Sequence, residues 1–454
     1  MPILPIDSCR YGSEKMKDIF EEEKKLEYEL IFEGEVAIAQ GNLDLIPNLA
    51  AKEIFKVTRS KSISLKRIKE LEKISEHDTA AVVEAISEHC SSSAKPWVHY
   101  GLTSNDILDT CNSLQMRDAL GVLEPKISKL CLLFLKKSKK YSNTPAVGRT
   151  HGQHASIISF GLKFAVWASE LAHHLERIEE GKKRFLVCKT LGVVGTGSLM
   201  GTKAIKVQSA VAQRLGLWPI EAATQVVPRE RIAEIQFIIS LIGSTLDKIG
   251  TEIRNLQRTE IGEVEEPFRQ GQMGSSAVPV KRNPIKSERV SSLARILRSL
   301  LSVALENIPL WHERDLTNSA NERFTLPMSF ILLDEMLDSM LDVFEKLKIN
   351  QKRIKENLDK TAGQIYSEFL LERLIKKGVP RFSAYRDIQR LAFKATQENE
   401  HFYKAVTKDS SISNALNSTE LKNVFDPTNH LSASGLIIDR VSERVRKTIS
   451  KKLL

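Results

Sequence analysis

The sequence predicts an all-α protein of three domains built on a long central helical bundle. Three features carry this expectation: apolar seams at helical spacing through the middle of the chain, no convincing period-two alternation between turn signals, and a shift to short Lys-rich amphipathic runs towards the C-terminus.

The seams come first. Ile235, Ile239, Ile242, Leu246, Ile249, Ile253 and Leu256 alternate steps of four and three, so they line one side of a helix. Phe330, Leu333, Leu337, Met340, Phe344 and Leu347 repeat the spacing, and Leu293, Ile296, Leu297, Leu300, Leu301, Ala304 and Ile308 form a wider face. Long helices with such stripes bury them against other helices, which makes a bundle, and the seams are long enough to invite other subunits as well. Near the C-terminus, Glu368 to Lys377 and Val441 to Leu453 read as helices of a smaller domain. The expected divisions are an N-terminal helical domain over 1–104, the long-helix bundle over 105–352 and a small helical domain over 353–454.

Composition narrows the class. A chain of 454 residues exceeds one ordinary core, and 42% hydrophobic with 27% charged residues excludes a disordered chain. No apolar run approaches the roughly 18 to 20 residues that cross a bilayer, and no basic stretch followed by a long apolar one opens the chain. A cytoplasmic protein without membrane association is therefore expected. Cys9, Cys90, Cys111, Cys131 and Cys188 form no CxxC pair and read as buried free thiols rather than zinc ligands. The richness in Lys, Glu and Ile hints at a heat-adapted source, in which a disulfide stays open. The net charge of +10 is spread along the chain, with few interleaved aromatics. It suits a basic cleft for a small polyanion better than a nucleic-acid surface.

Between the seams lie short segments rich in Gly, Ser, Thr and His, at 97–110, 149–154, 192–201 and 268–284. Such loops carry function on a rigid scaffold. The richest is Gly271-Gln-Met-Gly-Ser-Ser-Ala-Val-Pro-Val-Lys-Arg-Asn-Pro284. It reads as a mobile loop running into a helix. Hydroxyls, an ammonium, an amide and backbone N–H groups near a helix start equip it for carboxylates.

That segment resembles the GSSxMPxKxNP signature of the fumarase/aspartase superfamily at Gly274, Ser275, Ser276, Pro279, Lys281, Asn283 and Pro284, with Val278 in place of Met. Trp97 to Thr110 and Gly148 to His154 are similar to the superfamily's two preceding blocks, in the same order, and the resemblance runs from Arg10 to about Pro327. Within the superfamily the chain resembles the adenylosuccinate lyases. The features are Arg10-Tyr11, His77-Asp78, His99, Thr224-Gln225 with Arg229-Glu230-Arg231, and Trp311-His-Glu-Arg-Asp315 followed by Ser319 and Arg323. Glu76 replaces a usual Arg and Ile232 a common His. The nearest alternative is another lyase of the superfamily, such as argininosuccinate lyase; the Arg10-Tyr11 pair and the block from Arg314 to Arg323 argue against it. A non-catalytic scaffold would need none of Ser275, His151 and Lys281.

The resemblance implies the three-domain fumarase/aspartase-like fold and a β-elimination that releases fumarate from a succinylated purine nucleotide. By it, Ser275 is the base and His151 the acid, while Lys281 and Asn283 stabilise the carbanion and His77 orients substrate or His151. Thr103 and Ser104 hold a succinyl carboxylate, and Gln225 and Arg289 line the pocket. Arg10, Tyr11, Asp78, Arg314, Ser319 and Arg323 bind the nucleotide. The resemblance implies no metal or redox cofactor, and a homotetramer whose active sites are shared between subunits.

Overall fold

The seam residues from Ile235 to Leu256 are 0 to 3% exposed on the helix Glu230–Leu256. The second seam is buried as well, from Phe330 to Phe344 on the helix Ser319–Lys346 and at Leu347 just beyond it. The wider face divides: Leu293, Leu297 and Ala304 are buried, whereas Ile296 and Ile308 are exposed. The two strict seams thus find their cover inside the chain and do not themselves call for another subunit.

The computed structural model describes Leu4, Ile6, Ser8 and residues 10–450; Cys9 lies outside the described residues. Five long helices, Ser104–Lys140, Phe160–Phe185, Glu230–Leu256, Ile285–Glu306 and Ser319–Lys346, each contribute residues to two compact units. No helix among the described residues is long and apolar enough to cross a membrane. Cys90, Cys111, Cys131 and Cys188 are buried free thiols.

The first unit comprises Met1–Ile127, His174–Leu246 and Val290–Asp338. Its N-terminal helices Glu22–Asn42, Asn48–Arg59, Leu65–Ser75 and Asp78–Glu88 close on a core of Leu26, Leu30, Ile54, Ile68, Leu71, Val82 and Ile86. Local chemistry sets their ends. Ser64 caps Leu65–Ser75 by accepting the Arg67 N–H, and Glu76 ends that helix in the left-handed region at φ 51°. The next residue, His77, caps Asp78–Glu88.

The second unit comprises Ser128–His173, Asp247–Arg289 and Ser339–Leu454. Phe134 meets Phe344 edge-on at 4.7 Å, and Phe164 meets Trp167 at 5.2 Å, so its core is aromatic. A separate cluster of Leu370, Leu374, Leu391, Phe402, Val406 and Leu421 holds the short C-terminal helices together.

The departures from helix among the described residues are three short strand pairs, one of which bears on the site. Pro145–Thr150 pairs antiparallel with Gln153–Ser159, so the Gly148 to His154 block is a hairpin rather than a plain loop. Its apolar residues come as adjacent pairs, Ala146-Val147 and Ile157-Ile158, which hides the period of two. Val147 and Ile157 are buried with Leu358, Ile365 and Tyr366, so the strands form because tertiary packing covers one face.

The most heavily bonded side chain near the predicted site is Asp106, which is 0% exposed. Its Oδ1 accepts from Lys189 Nζ at 2.5 Å and Leu191 N at 3.1 Å. Its Oδ2 accepts from Thr103 N at 2.8 Å and Gly192 N at 3.0 Å. Lys189 is also fully buried and donates to Gly192 O. This carboxylate ties the Thr103-Ser104 turn to the start of the glycine-rich segment. Asp106→Ala would strand the Lys189 ammonium in the interior, so we expect a loss of about 3 to 5 kcal/mol. Thermal unfolding should show a large drop in Tm; a Tm within about a degree of wild type would mean that the ammonium finds water or another partner.

Candidate active site

In the first unit the site grows from two helix starts. His77 sits just before Asp78–Glu88, and its Nδ1 accepts the Ala80 N–H at 3.3 Å. That bond places the proton of a neutral imidazole on Nε2, the free edge of a half-exposed ring. Asp78 Oδ1 accepts the Thr79 N–H at 2.8 Å, and its Oδ2 accepts from Arg323 at 2.9 Å. Burial works against the Asp78 charge, but Lys25, the Thr79 N–H and Arg323 outweigh it and hold the carboxyl below its usual range.

Arg314 gathers a second group. Its Nη1 donates to Gln225 Oε1 at 2.9 Å and to Ser104 Oγ at 3.4 Å, while its buried Nε has no protein partner. Burial lowers its pKa from a very high starting value, so the guanidinium remains a cation. Arg314, Ser319 and Arg323 line a cavity of about 320 Å³ together with Lys25 and Arg229. The acids at its wall are largely engaged: Asp109 pairs with Arg229 at 2.8 Å and Glu322 with Arg229 at 3.0 Å. The cavity therefore presents guanidinium and ammonium groups to an anion. Arg10 lies with its guanidinium 6.0 Å from the Tyr11 ring centroid. The pair is anchored just beyond, where the Ser13 N–H and hydroxyl donate to Asp334 and the Gly12 N–H donates to Glu335. Gly12 has φ 80° and a Cβ there would lie 2.5 Å from Ile331, so only glycine allows this approach.

A neighbouring pocket is lined by His77, His99, Thr103 and Ser104. His99 has φ 60° and its Nδ1–H donates to the buried Glu33 carboxylate at 2.6 Å. Burial disfavours the charged ring, yet Glu33 prevails and raises the His99 pKa.

The second unit holds His151, Ser275, Lys281, Asn283 and Arg289. His151 and Gly152 form the exposed tip of the hairpin. Ser275 Oγ accepts the Val278 N–H at 3.1 Å and the Ala277 N–H at 3.3 Å. Two donors aimed at one oxygen favour its deprotonated form, which a serine base requires. Asn283 Nδ2 donates to Gly274 O at 2.8 Å and draws the two ends of the loop together. A Cβ on Gly274 would stand 2.0 Å from Lys281 O, so the glycine permits that fold-back. Glu266 accepts the Ser287 N–H and hydroxyl and the Lys286 N–H, capping the helix Ile285–Glu306 just after the loop. Lys281 is exposed and Arg289 half-buried. Among the described residues no hydrogen bond joins His151 to Ser275 or Lys281.

The structure thus brings Ser104 to Gln225 and Arg314, and Asp78 to Arg323. It also adds residues to which the sequence assigned no role: Lys25, Asp109 and Arg229 at the cavity, Glu33 behind His99, and the anchoring acids Asp106, Glu263 and Glu266. A signal existed for Glu33 and for Lys189, the partner of Asp106. Glu33 follows Leu30-Ile31-Phe32 and Lys189 follows Leu186-Val187-Cys188, each a charge inside an apolar run.

The His99–Glu33 pair sets a pH dependence. Because the folded-state pKa of His99 is raised, its contribution is complete below the unfolded-state range near 6.5 and is lost as pH climbs through the folded-state value. The Tm difference between wild type and His99→Gln should shrink from about pH 6 to about pH 9. A difference that stays constant or widens over that range would refute the assignment.

The comparisons with known proteins fit this geometry. The model of a family described as Lyase matches residues 11–297, and one described as Adenylosuccinate lyase C-terminus matches residues 363–441. The adenylosuccinate lyase of Methanocaldococcus jannaschii is 40% identical over 98% of this chain and 96% of its own length. That of Pyrococcus abyssi is 43% identical over 98% and 99%. Among solved structures, the 3-carboxy-cis,cis-muconate lactonizing enzyme of Pseudomonas putida superposes with a TM-score of 0.88 at 27% identity, covering 98% of this chain and 100% of that one. A fumarate lyase from Mesorhizobium gives 0.87 at 27% identity, over 95% and 97% of the two chains. Matched over nearly its whole length, this chain belongs to the adenylosuccinate lyase family of the fumarase/aspartase superfamily.

Proposed function

We propose that the chain is a cytoplasmic enzyme of purine biosynthesis that eliminates fumarate from adenylosuccinate to give AMP, and that it acts likewise on the succinylated imidazole carboxamide nucleotide. The observation that carries this reading is the Arg314 guanidinium, held by Ser104 and Gln225 at a cavity that Ser319 and Arg323 also line. A nucleotide phosphate suits those cations, and a succinyl carboxylate suits the Thr103 and Ser104 hydroxyls beside them. Arg10, Tyr11 and Asp78 complete the nucleotide contacts.

In the reaction a proton leaves the carbon next to one succinyl carboxylate, the electron pair forms the fumarate double bond, and the carbon–nitrogen bond breaks. Ser275 Oγ takes the proton, with the Ala277 and Val278 N–H groups supporting the alkoxide. Lys281, Asn283 and Arg289 meet the carboxylate on which negative charge builds up. His151 protonates the departing nitrogen, and His77 orients the substrate or His151. These steps need no metal or redox cofactor.

The active unit in this reading is a homotetramer. Exposed apolar side chains in the first unit support it: Phe237 is 50% exposed, Phe324 60% and Leu316 67%. The exposure of His151 at a hairpin tip supports a site shared with a second copy. Three domains, over 1–104, 105–352 and 353–454, are the division we propose for the chain.

The activity is tested by incubating the protein with adenylosuccinate and following both the purine ultraviolet band and released fumarate. Wild type should convert it, whereas Ser275→Ala and His151→Ala should fold, bind AMP and lose at least about a thousandfold in kcat. No spectral change with wild type sinks the reading, and near-normal turnover in either variant removes that residue from the chemistry.

Shared sites are tested by complementation. Inactive Ser275→Ala and His151→Ala proteins, mixed under conditions where subunits exchange, should regain part of the activity, because some sites then hold both native residues. Exchange without recovery, or an active monomer in sedimentation, would end the proposal of shared sites.

A further inference from the structure

The hairpin that carries His151 turns on two residues of positive φ, His151 at 53° and Gly152 at 75°. Positive φ at both turn positions is the type I′ pattern, whose twist matches that of the strands. A histidine in that conformation persists only where its surroundings hold it. Just below the turn the register shifts. Gly148 faces Ser156 and Arg149 faces His154, which leaves Ala155 as an extra residue. A bulge of this kind re-aims the side chains beyond it.

What holds the turn is a buried acid from another segment. Arg149 Nη2 donates to Glu263 Oε1 at 2.6 Å, and its Nη1 to Oε2 at 3.4 Å. The Glu263 side chain is 0% exposed, and Asn357 Nδ2 donates to the same Oε1 at 2.8 Å. Glu263 is itself fixed by its backbone: its N–H donates to Leu256 O and its carbonyl accepts the Asn350 N–H, each at 2.9 Å. On the facing strand, burial and then Arg149 lower the His154 pKa, so that ring stays neutral beside the guanidinium. The elimination as proposed gives Arg149, Glu263 and Asn357 no step. A fully buried charged side chain there contributes orientation more than stability, because apolar replacements of such pairs are often no less stable.

We propose that Glu263 is a positioning residue that, through Arg149, fixes the angle at which the hairpin presents His151 to the departing nitrogen. The inference rests on His151 being the acid. The test uses the full-length assembled protein with Glu263→Gln, Arg149→Met, the double variant and Arg149→Lys, measured by steady-state kinetics and by hydrogen exchange of the hairpin. Glu263→Gln and Arg149→Met should each lower kcat about tenfold or more, with KM and AMP inhibition within about twofold of wild type. The double variant should be no worse than the poorer single one, because the pair acts as a unit, and Arg149→Lys should recover part of the loss. Exchange should quicken over 149–154 and stay unchanged over 235–256.

Unchanged kcat, a rise in KM alone, or losses that multiply in the double variant would each overturn the proposal. If either single variant fails to fold, the double variant, which leaves neither charge stranded, carries the test and should itself lower kcat about tenfold or more. Wild-type turnover and its loss in His151→Ala are measured alongside. If either is missing, the reading of His151 fails and the proposal falls with it. If both are present, only the kinetics of the Glu263 and Arg149 variants decide.

Discussion

A carboxylate shut away from solvent needs a donor for each of its oxygens, and Asp106 shows what that constraint does to the fold. Four donors converge on its two oxygens: the Lys189 ammonium and the N–H groups of Thr103, Leu191 and Gly192. Taking a charge out of water costs several kcal/mol unless each lone pair finds a donor, so the backbone at both ends of this cluster has little freedom. The Thr103-Ser104 turn is thereby set before any substrate arrives. Glu263 and Glu266 repeat the device. One holds Arg149 below the His151 turn, and the other caps the helix that follows the Ser275 loop. Each of the three blocks is thus held by a buried acid to which the proposed elimination assigns no step.

The groups assigned to chemistry sit in places where the backbone is tight. His151 holds a positive φ, and Gly274, next to Ser275, stands where a Cβ would strike Lys281 O. Such conformations persist because the surroundings over-determine them. Charge follows the same logic. The cavity in the first unit keeps Arg314, Arg323 and Lys25 facing an open space, while Asp109 and Glu322 are drawn to Arg229. The chain's excess of positive charge is, at this one place, converted into a local preference for anions.

Helix-forming seams and linear motifs were legible from residue order alone. The steps of four and three from Ile235 to Leu256 determined a helix and its buried side, because periodicity is a local property of 3.6 residues per turn. The block from Gly271 to Pro284 determined the family for a similar reason, since its chemistry is carried in consecutive residues. Other features could not be read this way. The hairpin at 145–159 forms because Leu358, Ile365 and Tyr366, some two hundred residues away, cover its apolar face. The pairing of Asp78 with Arg323, and of Arg314 with Ser104 and Gln225, likewise joins residues remote in sequence. By itself, then, the sequence determined the helical class, the course of the long helices and the family, all of which rest on local spacing. Only the tertiary structure decided which charges are buried as anchors and which face the cavity, because burial and pairing depend on what the rest of the chain brings alongside.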